Sequence, residues 1–214
     1  MLRPLRFILD ILFPPSPLAV RLRGMDAEDF LAAISPPFFV KRCHVLSRYK
    51  EPFVHEAVWQ MKFRGDAHAT RLLAEGMSRL MEKMLKKPAS TTGLAENILL
   101  IPVPASKKRI RARGFDQCRR LAQAIVKINP DIRAAFDALQ KTKPTPEQKG
   151  QNRADRLVNL RDSFEVTSES AHMIQGRHIL LIDDVLTTGA TLHECERVLI
   201  AAGAGKVTCF AAAH

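Results

Sequence analysis

What the sequence lacks sets the first limits. It has no apolar stretch long enough to span a bilayer. The one candidate, residues 7–13, is short, broken by Asp10 and closed by Pro14 and Pro15, and reads as a short amphipathic helix of a cytoplasmic protein. The four cysteines, Cys43, Cys118, Cys195 and Cys209, form no Cys-x-x-Cys pair, which argues against a zinc knuckle and a disulfide framework. They read as small buried hydrophobes of a reducing compartment. No Gly-x-x-x-x-Gly-Lys-Ser/Thr loop is present, which removes the P-loop NTPases. Gly203-Ala-Gly205 follows a helical pattern and precedes a strand, so it is a helix stop and not a dinucleotide fingerprint. His44, His55 and His68 have no ligand spacing, His193 reads as a surface or packing residue, and no nucleophile triad is recognisable. Aromatics are few, with one Trp and one Tyr. Acidic residues are short by eleven: 22 Asp and Glu stand against 33 Lys and Arg, so an anionic partner is expected.

The 214 residues, 46% hydrophobic and 26% charged, suffice for a soluble globular chain that buries a core without cross-links. Residues 107–161 hold 15 Lys and Arg against 5 Asp and Glu, so nearly the whole basic excess lies there. A solvated basic face is one reading, a groove for phosphates the other. Residues 1–95 read as a mostly helical region whose clearest element is a helix over residues 67–85, with Leu72, Leu73, Met77, Leu80, Met81 and Met84 at helical spacing. A loop at 87–96 marks the boundary to a second region, 96–214. There, short apolar runs alternate with amphipathic helices: strands over 98–103, 135–140, 164–166, 178–182 and 206–212, and helices over 117–128 and 191–202. Fully apolar strands alternating with helices indicate an α/β fold, a mainly parallel sheet covered on both faces.

One segment carries chemistry: His178-Ile-Leu-Leu-Ile-Asp183-Asp184-Val185-Leu186-Thr187-Thr188-Gly189-Ala190-Thr191, leading into a helix. A buried strand would deliver Asp183 and Asp184 at its carboxyl end, where open α/β sheets place their ligands. The following turn offers backbone N–H groups, hydroxyls and a positive helix end, which together suit a phosphate. Gly189 permits close backbone approach or positive φ. Two acids beside a phosphate cradle suit a molecule with vicinal hydroxyls and a phosphate, such as ribose 5-phosphate. The bland alternative, an acidic helix cap followed by an ordinary turn, does not account for the whole combination.

This segment resembles the ribose-phosphate motif of the type I phosphoribosyltransferases. Further blocks are similar to the ComF/GntX (competence protein F-like) family within that class. They are Ile101-Pro-Val-Pro-Ala-Ser-Lys-Lys-Arg-Ile-Arg-Ala-Arg-Gly-Phe-Asp-Gln117, Tyr49-Lys-Glu-Pro-Phe-Val with Met61-Lys-Phe-Arg-Gly-Asp66, and Thr145-Pro-Glu-Gln148 with Arg156, Asn159 and Phe164. The chain also departs from the family. Phe13-Pro14-Pro15 is followed by Ser16 and Pro17, with Val20 in place of the second Cys of a four-cysteine zinc site, and Cys43 alone cannot hold zinc. Asp116 replaces an Asn, and Gln151 a Leu.

The resemblance implies a type I phosphoribosyltransferase fold with an N-terminal helical hood. It implies that Asp183 and Asp184 bind the ribose hydroxyls of phosphoribosyl pyrophosphate (PRPP), with Mg²⁺ nearby but held mainly by ligand oxygens. Residues Val185, Leu186, Thr187, Thr188, Gly189, Ala190 and Thr191 would hold the 5-phosphate. Ala105, Ser106 and Lys107 would receive the pyrophosphate, with charge added by Arg109, Arg111 and Arg113. Thr145, Gln148 and Arg156 would belong to a flexible loop over 141–161. The reaction implied is transfer of the phosphoribosyl group to an unidentified nucleobase or amine with release of pyrophosphate. The competing reading is a non-catalytic PRPP-binding protein of DNA uptake whose basic segment takes single-stranded DNA. Phe115 is the only aromatic in the densest basic run and reads as a packing residue. No membrane partner is expected, and a homodimer is compatible with the sequence.

Overall fold

The computed structural model describes residues 16–85, 97–142 and 162–214. The helix expected near residues 7–13, the boundary loop at 87–96 and most of the loop at 141–161, with Thr145, Gln148 and Arg156, lie outside the described residues.

In chain order the elements are helices α1 (Pro17–Gly24) and α2 (Ala27–Ala32), strands β1 (Phe38–Val40) and β2 (Cys43–Ser47), and helix α3 (Pro52–Trp59), which runs on into a π-helical turn at Gln60–Arg64. Helix α4 (Ala67–Leu85), strand β3 (Ile98–Pro102), helices α5 (Lys107–Arg113) and α6 (Gln117–Ile128), and strands β4 (Arg133–Ala134), β5 (Leu139–Lys141) and β6 (Phe164–Val166) follow. The chain continues through α7 (Ala171–Ile174), β7 (His178–Val185), α8 (Ala190–Ala201) and β8 (Lys206–Ala213).

Six strands form one sheet in the order β1-β2-β8-β7-β3-β4. All neighbours are parallel except β1, which returns antiparallel on β2. The central strand β7 is buried on both faces, as its unbroken Ile-Leu-Leu-Ile run requires. Leu180 and Ile182 join Leu100 and Phe210 in a core covered by α4 and α6. Ile179 and Leu181 join Leu99, Ile101 and Ala211 in a second core beneath α8.

From β3 the chain crosses through α6 to β4 on one side; from β7 it crosses through α8 to β8 on the other. The strand order therefore reverses between β3 and β7, and the crevice beyond their carboxyl ends is where such sheets bind ligands. That crevice lies between the turn after Pro102 and the acids Asp183 and Asp184. The Val103 N–H still donates to the Ile182 carbonyl at 2.9 Å, so both rims are held on one rigid pair of strands.

Three expectations need adjustment. The described residues before residue 95 are mostly helical, but they also supply β1 and β2, and β2 pairs directly with β8. The strand expected over 135–140 is divided: β4 ends at Ala134 on the main sheet, and β5 leaves to pair antiparallel with β6. On α4, Leu72, Leu73, Met77, Leu80 and Met81 are buried while Met84 is exposed.

The chain re-enters the described part against α8. The carboxylate of Glu194, itself buried, accepts the Asp162 N–H at 2.7 Å and two Arg197 N–H groups at 2.9 and 2.7 Å. The Arg197 guanidinium leads in holding Glu194 below the usual carboxylate range. A lowered folded-state pKa stabilises above the unfolded value, 4.5, and that stabilisation is lost as pH falls through the folded value. E194Q is therefore expected to lower the melting midpoint at pH 7 by roughly 2–4 °C, the shift that about 1 kcal/mol gives in a chain of this size. The gap to wild type closes in melts taken well below pH 4.5; a gap that persists there would show that charge is not its cause.

Candidate functional site

The apolar run of β7 continues as strand through Asp183 and Val185, paired with Ala211 and Ala213 of β8. Two carboxylates are thereby fixed at the strand end by backbone. Asp183 Oδ1 accepts the Asp184 N–H at 2.8 Å, and Asp184 Oδ1 accepts the Val185 N–H at 2.6 Å. The Cys118 thiol of α6 donates to Asp183 Oδ1 at 3.5 Å. Asp184 is 6% exposed, and its Oδ2 has no hydrogen bond. The Lys62 ammonium nevertheless stands 3.2 Å from that oxygen as an ion pair.

An edge of Asp183 reaches solvent, but the carboxyl itself is walled in. That desolvation, ahead of the neighbouring Asp184 charge, pushes its pKa up to about 7, while the Asp184 N–H and Lys62 pull the other way. Burial and the same two carboxylates hold the Cys118 thiol far above its ordinary value, so it stays a protonated donor. Cys118, Asp183 and Asp184 bring one potential ligand atom each within 4.8 Å of the others. A protonated thiol is a poor partner for a hard cation, but two carboxylates, one with an unbonded buried oxygen, suit Mg²⁺ that completes its shell from a ligand. The donor set fits the expected ion on those terms.

Beyond Val185 the loop is pinned from behind. The Leu186 N–H donates to the Ala213 carbonyl at 2.8 Å, and the Leu186 carbonyl meets His214 Nδ1 at 2.8 Å. Gly189 adopts φ +85° and stands at the N-cap of α8 with no side-chain cap; the Ala190 N–H reaches only Thr188 Oγ1, at 3.4 Å. An uncapped helix N-terminus with a left-handed glycine before it is a natural anion cradle. Thr188 and Thr191 are half-buried and Thr187 is exposed. The turn between β1 and β2 covers this loop. Its residues Lys41 and Arg42 both have positive φ, 49° and 61°, a conformation such turns normally assign to Asn or Gly. The Lys41 ammonium donates to the Thr187 carbonyl, and Arg42 pairs with Glu196 of α8 at 3.0 Å.

On the opposite rim, Ser106 caps α5 by accepting the Arg109 N–H at 3.3 Å. The Ala105 N–H is already engaged, donating to Asp116 Oδ2 at 2.7 Å. Asp116 Oδ1 also caps α6 by accepting the Arg119 N–H at 3.0 Å. The acid at this position therefore ties the turn to the helix behind it. No residue of α5 is buried, so Lys107, Arg109 and Arg111 are presented at the surface. Arg113 instead donates to Gln117 Oε1 at 2.8 Å, with its guanidinium 5.2 Å from the centre of the Phe63 ring.

The structure thus places residues 183–191 and 105–113 on the two rims of one crevice. Sequence reasoning missed Lys62, Lys41 and the latch made by Asp116. Lys62 had a signal, the Met61-Lys-Phe-Arg-Gly-Asp66 block. Lys41 had none, because only tertiary folding brings it to the loop.

Residues 110–213 match the family model described as "Phosphoribosyl transferase domain". The chain is 29% identical over 197 residues to "Competence protein ComFC" of Bacillus subtilis, covering 91% of this chain and 73% of that protein. It is 31% identical over 156 residues to "DNA utilization protein YhgH" of Escherichia coli O6:H1, covering 73% of this chain and 63% of that one. It is 29% identical over 163 residues to "Competence protein F" of Haemophilus influenzae, covering 76% and 68%.

Proposed function

We propose, for a chain that belongs to the competence protein F-like (ComF) family of phosphoribosyltransferase-domain proteins, that the crevice binds PRPP and transfers its phosphoribosyl group to a nucleobase or amine. One observation carries this reading. Two backbone-fixed carboxylates stand at the end of a buried strand, immediately before a loop whose glycine opens an uncapped helix N-terminus, at the point where the strand order reverses.

In this reading Asp183 and Asp184 accept the ribose 2′- and 3′-hydroxyls. The amides and hydroxyls of residues 185–191 take the 5-phosphate, and Lys41 holds the Thr187 carbonyl away from that anion. Lys107, Arg109 and Arg111, at or just after the turn on the other rim, face the pyrophosphate. The bond from the anomeric carbon to the pyrophosphate oxygen breaks as the acceptor nitrogen bonds that carbon, and the acceptor gives up its proton. The chain supplies orientation, positive charge for the departing oxygens and exclusion of water. Mg²⁺, held by the two carboxylates and by PRPP oxygens, would supply further charge neutralisation on the pyrophosphate. Pyrophosphate release from PRPP, screened over nucleobases and simple amines, tests the catalytic part. Release that depends on one acceptor class is expected; binding of PRPP with no release under any acceptor would leave a binding protein.

A second reading, single-stranded DNA binding, is favoured by a surface that the sequence scatters. Phe63 is 59% and Trp59 37% exposed, their rings 5.7 Å apart, beside the basic helix α5, none of whose residues is buried. Arg113 lies over Phe63, Arg64 over Trp59 at 5.6 Å, and Arg120 over Phe115 at 3.8 Å. Exposed rings among cations suit stacked bases and phosphates. R109A/R111A/R113A is expected to make log K against log salt for oligo-dT shallower by about 2, near 0.7 for each lost contact. An unchanged slope in a fluorescence-anisotropy titration would remove α5 from any such interface.

A further inference from the structure

The turn at Gln60–Arg64 is the only π-helical element among the described residues, and such insertions are frequent at functional sites. It is anchored at both ends. Gln60 donates through its side chain to Glu56 at 2.7 Å, and its carbonyl accepts the Asp66 N–H at 3.2 Å. The Asp66 carboxylate then caps α4 by accepting the Ala69 N–H at 2.9 Å. Gly65 closes the turn at φ +59°, where any Cβ would stand 2.4 Å from the Arg120 guanidinium. Between these anchors Met61 is buried, Phe63 faces out, and Lys62 reaches the strand end. Its side chain is only 17% exposed, and its ammonium stands 3.2 Å from Asp184 Oδ2. That oxygen has no hydrogen bond. A buried carboxylate oxygen supported by one flexible ammonium is a partner held in exchangeable form: the charge is compensated, yet the hydrogen-bonding capacity is unspent.

We infer that Lys62 is a built-in competitor at the ribose-binding carboxylates, an internal cation that occupies Asp184 until ligand arrives and so makes capture of a divalent cation depend on PRPP. The inference rests on the reading of Asp183 and Asp184 as the PRPP site. In the ligand-free protein a divalent cation must displace the ammonium from Asp184 and leave it half-buried beside the incoming charge. When PRPP arrives with the cation, its phosphates offer the displaced ammonium a new partner, and the exchange no longer strands a charge. Lysine suits this role because its charge is a point on a flexible stem; a guanidinium would hold Asp184 in a two-pronged grip.

Electron paramagnetic titration of the full chain with Mn²⁺ alone, without PRPP, tests this directly. Wild type is expected to bind Mn²⁺ weakly. K62M removes the competing charge and is expected to bind it at least about tenfold more tightly, as loss of a like charge a few ångströms away demands. K62Q carries the same prediction should K62M fold poorly, and circular dichroism melts identify that case. K62R keeps the charge and is expected to remain as weak as wild type. Equal Mn²⁺ affinity in wild type and the neutral variants would overturn the inference, as would a K62R that binds as tightly as K62M. A merely structural lysine would weaken metal binding when removed. Failure of the PRPP reading shows separately, as absence of PRPP binding by wild type in Mg²⁺ buffer.

Discussion

Exchanging both carboxylates for amides, D183N/D184N, is expected to weaken PRPP binding at least about a hundredfold, since each hydrogen bond to a charged acceptor contributes about 1.5–3 kcal/mol. The variant is also expected to stay folded. The amide oxygens can still accept the Asp184 and Val185 backbone N–H groups, now from neutral side chains. The cost of keeping Asp183 in its desolvated pocket, visible in its upward-shifted pKa, is relieved, while Lys62 loses its partner. Calorimetric titration with PRPP in Mg²⁺ buffer, paired with a thermal melt, reads both. Undiminished binding by a folded double variant would remove the two acids from the site.

The second large effect is structural. Leu181 lies two residues before the first acid, wholly buried beneath α8 in the central strand. Leu181→Ala is expected to cost about 2–5 kcal/mol, the range for a large-to-small change that leaves a cavity. The strand pairs with both β3 and β8, so the surrounding sheet has little freedom to close the gap. Urea unfolding should show a lower midpoint with an unchanged slope. A loss below 1 kcal/mol would mean the core under α8 repacks freely, which conflicts with a rigid platform for Asp183 and Asp184.

How much of this was legible follows from which forces fixed each part. Strand β7 was readable because burial on both faces leaves an unbroken apolar run, and α4 and α6 because each buries one stripe. The end of β7 was read three residues short, at Ile182, because two acids rarely continue a central strand; here their oxygens accept the neighbouring backbone N–H groups, which keeps them there. Helix α5 was invisible to periodicity because it buries nothing. Its signals were a Ser106 cap and a Gly114 stop. Strands β1 and β2 were missed for a different reason. They are short, and their connecting turn carries Lys41 and Arg42 where Asn and Gly would have announced it. The strain there is repaid by contacts to the Thr187 carbonyl and Glu196, which no local pattern reveals. Lys62 belongs to the same class: its block was noticed, but its pairing with Asp184 depends on an extra residue in a helical turn.

The most direct test of the account is an isothermal titration of the wild-type chain with PRPP, once with Mg²⁺ and once with EDTA. Saturable binding near one PRPP per site, weakened by EDTA, is the predicted result. A well-folded protein that takes up no PRPP in Mg²⁺ buffer would contradict it, and would leave the strand-end carboxylates and the uncapped helix with some other anion to explain them.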